Sequence, residues 1–142
     1  MRLSEATYGG EMSAHHYFCD FAYCDSGMIP WLLVAELISK SGSSLGDLVR
    51  DCFTKFPSSG EINFRVDDAG GAIDRVLAAY SGGALSLDET DGVSLAFEDW
   101  RFNVRRSNTE PLVRLNVEGR GNATELELRV EAIAQLLGGT RT

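Results

Sequence analysis

Apolar residues recur along this chain with two different periods, and the change from one to the other divides it. Residues 28–38, MIPWLLVAELI, are apolar on nearly every side, and Pro30 stands where a first helical turn tolerates it. The pattern predicts a helix that needs cover all round. SKSGSS at 39–44 ends it. A second helix follows from Leu45, Leu48, Val49, Cys52, Phe53 and Phe56, spaced as an amphipathic stripe, with Ser44 and Asp47 as a capping box. FPSSG at 56–60 is the clearest break, because a proline followed by small residues stops a helix and frees the joint.

Beyond the break, alternation takes over. EINFRV at 61–66 sets Ile62, Phe64 and Val66 on one face of a strand. Ile73, Val76, Leu77 and Tyr80 then mark a helix, opened by the N-cap sequence DDAGG and stopped at Ser81-Gly82-Gly83. Four strands follow: ALSLD, VSLAF after the turn Thr90-Asp91-Gly92, WRFNVR and LVRLNVE. In WRFNVR, Trp100, Phe102 and Val104 face opposite to Arg101, Asn103 and Arg105. A closing helix is predicted from Thr124, paired with Glu127, and turns Leu126, Val130, Ile133 and Leu137 inward. Short turns imply antiparallel pairing, so the fold class is α+β, with helices against a mostly antiparallel sheet.

Three spans result. Residues 61–142 form one domain, 44–60 a linker helix and hinge with Pro57 and Ser58 at the pivot, and 1–43 the tail of an earlier domain. The tail holds a glycine-turned loop, the aromatic segment YFCDFAYC read as a strand of mixed burial, and one apolar helix. These do not close a core. Residues 1–40 are therefore expected to be less ordered than 61–138 or supported by another chain.

Charge narrows the partners. A formal net charge of −8 over 142 residues opposes nucleic acid and anionic membrane surfaces, so neither is expected. Cys19, Cys24 and Cys52 lack both disulfide parity and metal-ligand spacing, which points to reduced thiols in a cytoplasmic protein. The acids of the chain are not spaced as a metal site, and no metal ligand is assigned.

Two loops carry candidate chemistry. RRSNTEP at 105–111 offers a guanidinium fork from Arg105 or Arg106, and hydroxyl, amide and backbone donors from Ser107, Asn108 and Thr109, a set suited to a phosphate. The same residues also read as a polar strand connection whose arginines pair with nearby acids. GGEMSAHH at 9–16, if extended, sets Glu11, Ser13 and His15 on one side, where a carboxylate, a hydroxyl and an imidazole could grasp sugar hydroxyls. An exposed loop is the plainer alternative. His15 could act as an acid or base near neutral pH, whereas His16 points the other way, toward packing or surface.

In order and separation, these loops resemble the sugar-specificity loop GEMSGH and the phosphate-binding loop RxSNTEP of the α-D-phosphohexomutases; here they read GEMSAH and RRSNTEP. The methionine and the asparagine favour the phosphomannomutase/phosphoglucomutase branch. The resemblance implies four domains around a cleft, and interconversion of mannose 6-phosphate and mannose 1-phosphate through a phosphoserine and a bisphosphorylated intermediate, with Mg²⁺ at a DGDGDR loop. It assigns sugar hydroxyls to Glu11 and Ser13, a place near the reacting groups to His15, and the phosphate not being transferred to Arg105, Ser107, Asn108 and Thr109. Arg106 falls at a variable position, and Ala14 replaces a common glycine. It further implies a TATA-binding-protein-like last domain behind the tail of an α/β third domain. No TASHNP-type phosphoserine loop and no DGDGDR loop occurs in these residues. The chain thus resembles the C-terminal part of such an enzyme. It is expected to be inactive and to bind no Mg²⁺ by itself, with a phosphosugar and the preceding domains as partners. A free-standing, non-catalytic phosphosugar-binding module and a fragment of a phosphoglucomutase are the alternatives.

Overall fold

The computed structural model describes residues 1–11, 13–107 and 110–142, with Leu3 described by its backbone alone. Two compact units, Met1–Leu48 and Val49–Thr142, divide inside the second helix.

The first unit pairs strands β1 (Tyr8–Gly10) and β2 (His16–Phe18) antiparallel and carries helix α1 (Met28–Ser41). The aromatic segment is not one strand. β2 gives way to a 3-10 turn, Cys19–Phe21, and the left-handed backbone of Ala22 and Tyr23 (φ 55° and 61°) ends the extended run. α1 forms with its predicted start and stops at Gly42, whose φ of 67° closes the helix. It is not covered all round. Trp31 and Leu32 are 61% and 55% exposed, and among the described residues of this unit no hydrophobic side chain is buried. Composition states what such a helix needs; it does not say what supplies the cover.

Helix α2 (Leu45–Lys55) begins at Ser44, whose hydroxyl accepts from the Asp47 N–H at 3.2 Å and donates to the Asp47 carboxylate at 2.7 Å. The second unit continues with β3 (Ile62–Arg65), α3 (Ala69–Tyr80), β4 (Ser86–Asp88), β5 (Val93–Ala96), β6 (Trp100–Arg106), β7 (Leu112–Gly119), α4 (Ala123–Leu137) and β8 (Thr140–Arg141). The strands lie in the order β4-β5-β6-β7-β3-β8, each pair antiparallel. This is the strand, helix, four strands, helix order expected, with β8 added at the edge of β3. α3 is capped by Asp68, which accepts from the Gly71 N–H. α4 is capped by Asn122, which accepts from the Glu125 N–H, and not by Thr124 as the pattern suggested.

Alternation decides the two faces of the sheet. Ile62, Phe64, Leu95, Phe102, Val104, Val113, Leu115 and Val117 point inward and meet Ala72 and Val76 of α3 and Leu126, Val130, Ile133 and Leu137 of α4. The main core cluster lies on this side. The other face carries mainly polar residues together with the buried Leu112.

The Pro57–Ser58 joint is laced to β7. Pro57 O accepts from the Gly119 N–H at 2.9 Å, and the Ser59 N–H donates to Val117 O at 2.9 Å. The Ser59 hydroxyl accepts from the Val117 N–H at 2.9 Å. Residues 57–59 thus run beside the end of β7, and the small residues read as a free joint are engaged in its hydrogen bonds.

Candidate functional site

Ser13 and Ala14 turn the chain just before His15. Ala14, where the resembling motif has glycine, sits at a left-handed φ of 64°, so alternation cannot place Glu11, Ser13 and His15 on one side. Side-chain bonds do part of that work instead. Ser13 donates to Glu11 Oε2 at 3.1 Å and the Tyr17 phenol donates to Glu11 Oε1 at 2.8 Å. These two donors, Tyr17 first, hold the Glu11 carboxyl below its ordinary pKa, and the Tyr17 phenol is raised in turn. Glu11 is kept ionised and aimed.

His15 belongs to a different contact. Its Nδ1 lies 2.7 Å from Asp25 Oδ2, and the other oxygen of Asp25 accepts from the His16 N–H at 2.9 Å. The hydrogen bond to Asp25 raises the His15 pKa, and the same bond, with the His16 N–H, lowers that of Asp25. With Nδ1 so engaged, Nε2 becomes the nitrogen that can meet a substrate. His16 instead meets the Tyr8 hydroxyl through its own Nδ1 at 2.7 Å.

In the second unit the phosphate-type loop joins β6 to β7, and the Ser107 N–H closes it on Leu112 O at 2.8 Å. Asn108 and Thr109 lie outside the described residues. Strand parity separates the two arginines that the sequence left open. Arg106 shares the side of Phe102 and Val104 and lies over the first turn of α3, where its guanidinium takes the space that a Cβ on Gly70 would fill. Arg105 lies on the open polar face. Its Nη2 is 3.2 Å from Glu61 Oε2 and its Nη1 3.5 Å from Asp91 Oδ2. Arg105 thus pairs with nearby acids, as the plainer reading of the loop has it.

The floor around it holds residues that the sequence reading missed. Arg114 faces Arg105 directly across the strands, and its Nη1 is 3.7 Å from Glu61 Oε1. Asn103 donates to Asp91 O at 2.8 Å and to Ser94 Oγ at 2.9 Å. Asn63 Oδ1, Arg114 Nε and Asn116 Oδ1 are buried without a hydrogen-bond partner among the described residues. Within the second unit, a cleft of about 560 Å³ lined by Phe97, Trp100, Arg101 and Glu118 lies at the other end of β6, away from this loop.

No three His, Cys, Asp or Glu side chains among the described residues converge on a metal site, and no helix of the described residues is long and apolar enough to cross a membrane.

Residues 1–56 match the family model "Phosphoglucomutase/phosphomannomutase, alpha/beta/alpha domain III", and residues 61–136 match "Phosphoglucomutase/phosphomannomutase, C-terminal domain". A protein of Xanthomonas campestris named "Phosphohexose mutases" is 63% identical over 98% of this chain and 31% of its own length. A phosphomannomutase of Salmonella montevideo is 62% identical, and one of Escherichia coli K12 59%, each over 96% of this chain and 30% of its own length. The chain spans a little under a third of these relatives. In fold it is similar to a crystal structure of a phosphoglucomutase/phosphomannomutase family protein from Burkholderia thailandensis, with a TM-score of 0.67 over 99% of this chain and 31% of that one, at 24% identity. With residues 1–56 carrying the match of domain III and residues 61–136 that of the C-terminal domain, the chain belongs to the phosphoglucomutase/phosphomannomutase family.

Proposed function

We propose that this chain supplies the sugar loop and the phosphate loop of a phosphomannomutase, a longer protein that interconverts mannose 6-phosphate and mannose 1-phosphate through a phosphoserine and a bisphosphorylated sugar. The observation that carries the reading is the Arg105 fork, set on an open polar face at the mouth of the β6–β7 loop with its donors resting on carboxylate oxygens. A phosphate offers the same oxygens with more charge and can replace them. Phosphoryl transfer depends on positioning and charge stabilisation, so a clamp on the phosphate that stays in place contributes directly to the rate.

Each remaining residue has a role that fits this reaction. Glu11, with Ser13 and Tyr17 donating to it, is an acceptor for sugar hydroxyls. His15, paired with Asp25 at Nδ1, holds or delivers a proton at Nε2 beside the reacting groups. Ser107, Asn108 and Thr109 add donors to the phosphate. Mg²⁺ would act in the longer protein. The chain alone would bind but not turn over, and the cytoplasm is the compartment that suits its exposed thiols Cys24 and Cys52. A phosphoglucomutase would use the same clamp.

The test is a two-dimensional NMR titration of the chain with mannose 1-phosphate, repeated on Arg105→Ala. Saturable shifts at residues 105–107, lost in the variant, are the expected result. Shifts that survive the loss of Arg105, or none at millimolar ligand, would overturn the phosphate clamp.

A further inference from the structure

His15 and Asp25 are ten residues apart, and an uncommon backbone brings them together. After β2, the 3-10 turn Cys19–Phe21 runs into Ala22 and Tyr23, both left-handed, at φ 55° and 61°. Two such residues in succession without a glycine are uncommon, and for a side chain as bulky as tyrosine the conformation is strained. Strain of this kind persists only where the surroundings hold it, and it gathers at functional sites. Here they hold it. The Tyr23 N–H donates to Phe18 O at 2.9 Å, and the Arg2 guanidinium lies 5.4 Å from the centre of the Tyr23 ring. The chain therefore doubles back along β2: Asp25 bridges Tyr17 antiparallel, and the Ser26 N–H donates to His16 O at 2.9 Å.

That return gives each oxygen of Asp25 its own task. Oδ1 accepts from the His16 N–H at 2.9 Å, which pins the carboxylate, and Oδ2 is left 2.7 Å from His15 Nδ1. An ionised carboxylate only accepts, so Nδ1 must carry the proton. The neutral ring is then unprotonated at Nε2. Glu11 also acts on the ring, but through space and not by a hydrogen bond, so the choice of nitrogen falls to Asp25.

We propose that Asp25 is a positioning residue that sets the tautomer of His15, with the His16 N–H holding Asp25 in the orientation that makes the choice. Asp25 would not touch a substrate. It would keep the Nε2 electron pair free, so that His15 can take the proton of a sugar hydroxyl and does not meet it with an N–H. The use of that electron pair rests on the function proposed above; the tautomer itself does not.

The test is the ring ¹⁵N spectrum of the 142-residue chain, recorded above the titration midpoint of His15, where each ring nitrogen shows directly whether it carries a proton. The wild type should show His15 protonated at Nδ1 and bare at Nε2. In Asp25→Asn the amide oxygen keeps the His16 N–H, so the NH₂ group turns to His15 Nδ1 and donates to it. The two ring signals should then exchange character, with the proton on Nε2. His16, whose Nδ1 meets the Tyr8 hydroxyl, is the internal control and should not change. Asp25→Ala supplies neither acceptor nor donor and should leave the proton shared between the two nitrogens of His15. A wild-type ring protonated at Nε2 would overturn the proposal, whatever the variants do. So would a ring that stays protonated at Nδ1 in Asp25→Asn or in Asp25→Ala, since the carboxylate would then be a structural neighbour only. None of these spectra needs a ligand. A mannose 1-phosphate titration that fails at Arg105 therefore overturns the proposed function and leaves the tautomer standing, whereas the wrong tautomer overturns the role of Asp25 and leaves the phosphate loop standing.

Discussion

Gly92→Ala should damage the second unit far more than Gly121→Ala, although the two glycines share nearly the same backbone. Their φ angles are 76° and 77°, so each alanine variant meets the same left-handed strain, about 1–2 kcal/mol. At Gly121 nothing lies within 4 Å of the added Cβ, and the cost stops there. At Gly92 the Cβ would fall 2.5 Å from Val104 O and 2.8 Å from Arg105 Cα. These are backbone atoms of β6, which pairs with β5 on one side and β7 on the other, so no rotamer change relieves them. Overpacking of this kind adds roughly 1–3 kcal/mol. The expected totals are about 1–2 kcal/mol for Gly121→Ala and about 2–5 for Gly92→Ala. Urea denaturation followed at the amides of β6 and β7 measures both as a shift in midpoint at constant slope. Because the added Cβ would displace the backbone of Arg105, whose Cα lies 2.8 Å away, Gly92→Ala should also lower the affinity for inorganic phosphate, and Gly121→Ala should not. Equal destabilisation of the two variants, within about 0.5 kcal/mol, would refute the claim that β6 approaches the turn too closely for a side chain.

Two further outcomes follow from single contacts. By NMR titration, His15 should change protonation above the ordinary histidine range, because Asp25 raises it, and Asp25→Asn should bring it back down. Since the folded value is raised, the stabilisation from this pair is fully present below about pH 6.5 and is lost as pH rises through the raised midpoint; on the acid side it is lost as pH falls through the lowered midpoint of Asp25. Ser59→Ala leaves the Val117 N–H without the hydroxyl that accepts from it, which should cost about 1–2 kcal/mol in denaturant midpoint, whereas a loose joint at 57–59 would lose almost nothing.

The sheet and both helices of the second unit were legible because one face is buried, and a buried face imposes period two on strands and period 3.6 on helices. Caps were less so: Asn122 and Thr124 both have suitable chemistry, and only the position of the Glu125 N–H selects Asn122. β8 has two residues, too few to alternate. In the first unit no described hydrophobic side chain is buried, and there the period lost its meaning. GEMSAHH read as extended because its side chains alternate in kind, yet alternation predicts direction only where a neighbouring strand holds the backbone flat. At Ala14 none does, and the chain turns. Asp25, which holds His15, is ten residues away and carries no local signal.

The polar face of the second unit teaches the opposite lesson. The period that sends Phe102 and Val104 inward sends Arg105 outward and Arg106 back toward α3, so the choice between the two arginines was already written in the strand. Arg114 was within reach by the same means. The Ser107 N–H meets Leu112 O, and once a hairpin closes there, the residue two before Ser107 must face the residue two after Leu112. That pair is Arg105 and Arg114. Two arginines forced together on an open face require an anion between them. Glu61 fills the need, and it does so from the first position after the 57–60 segment, where a sequence read strand by strand assigns a glutamate to nothing more than a solvated end.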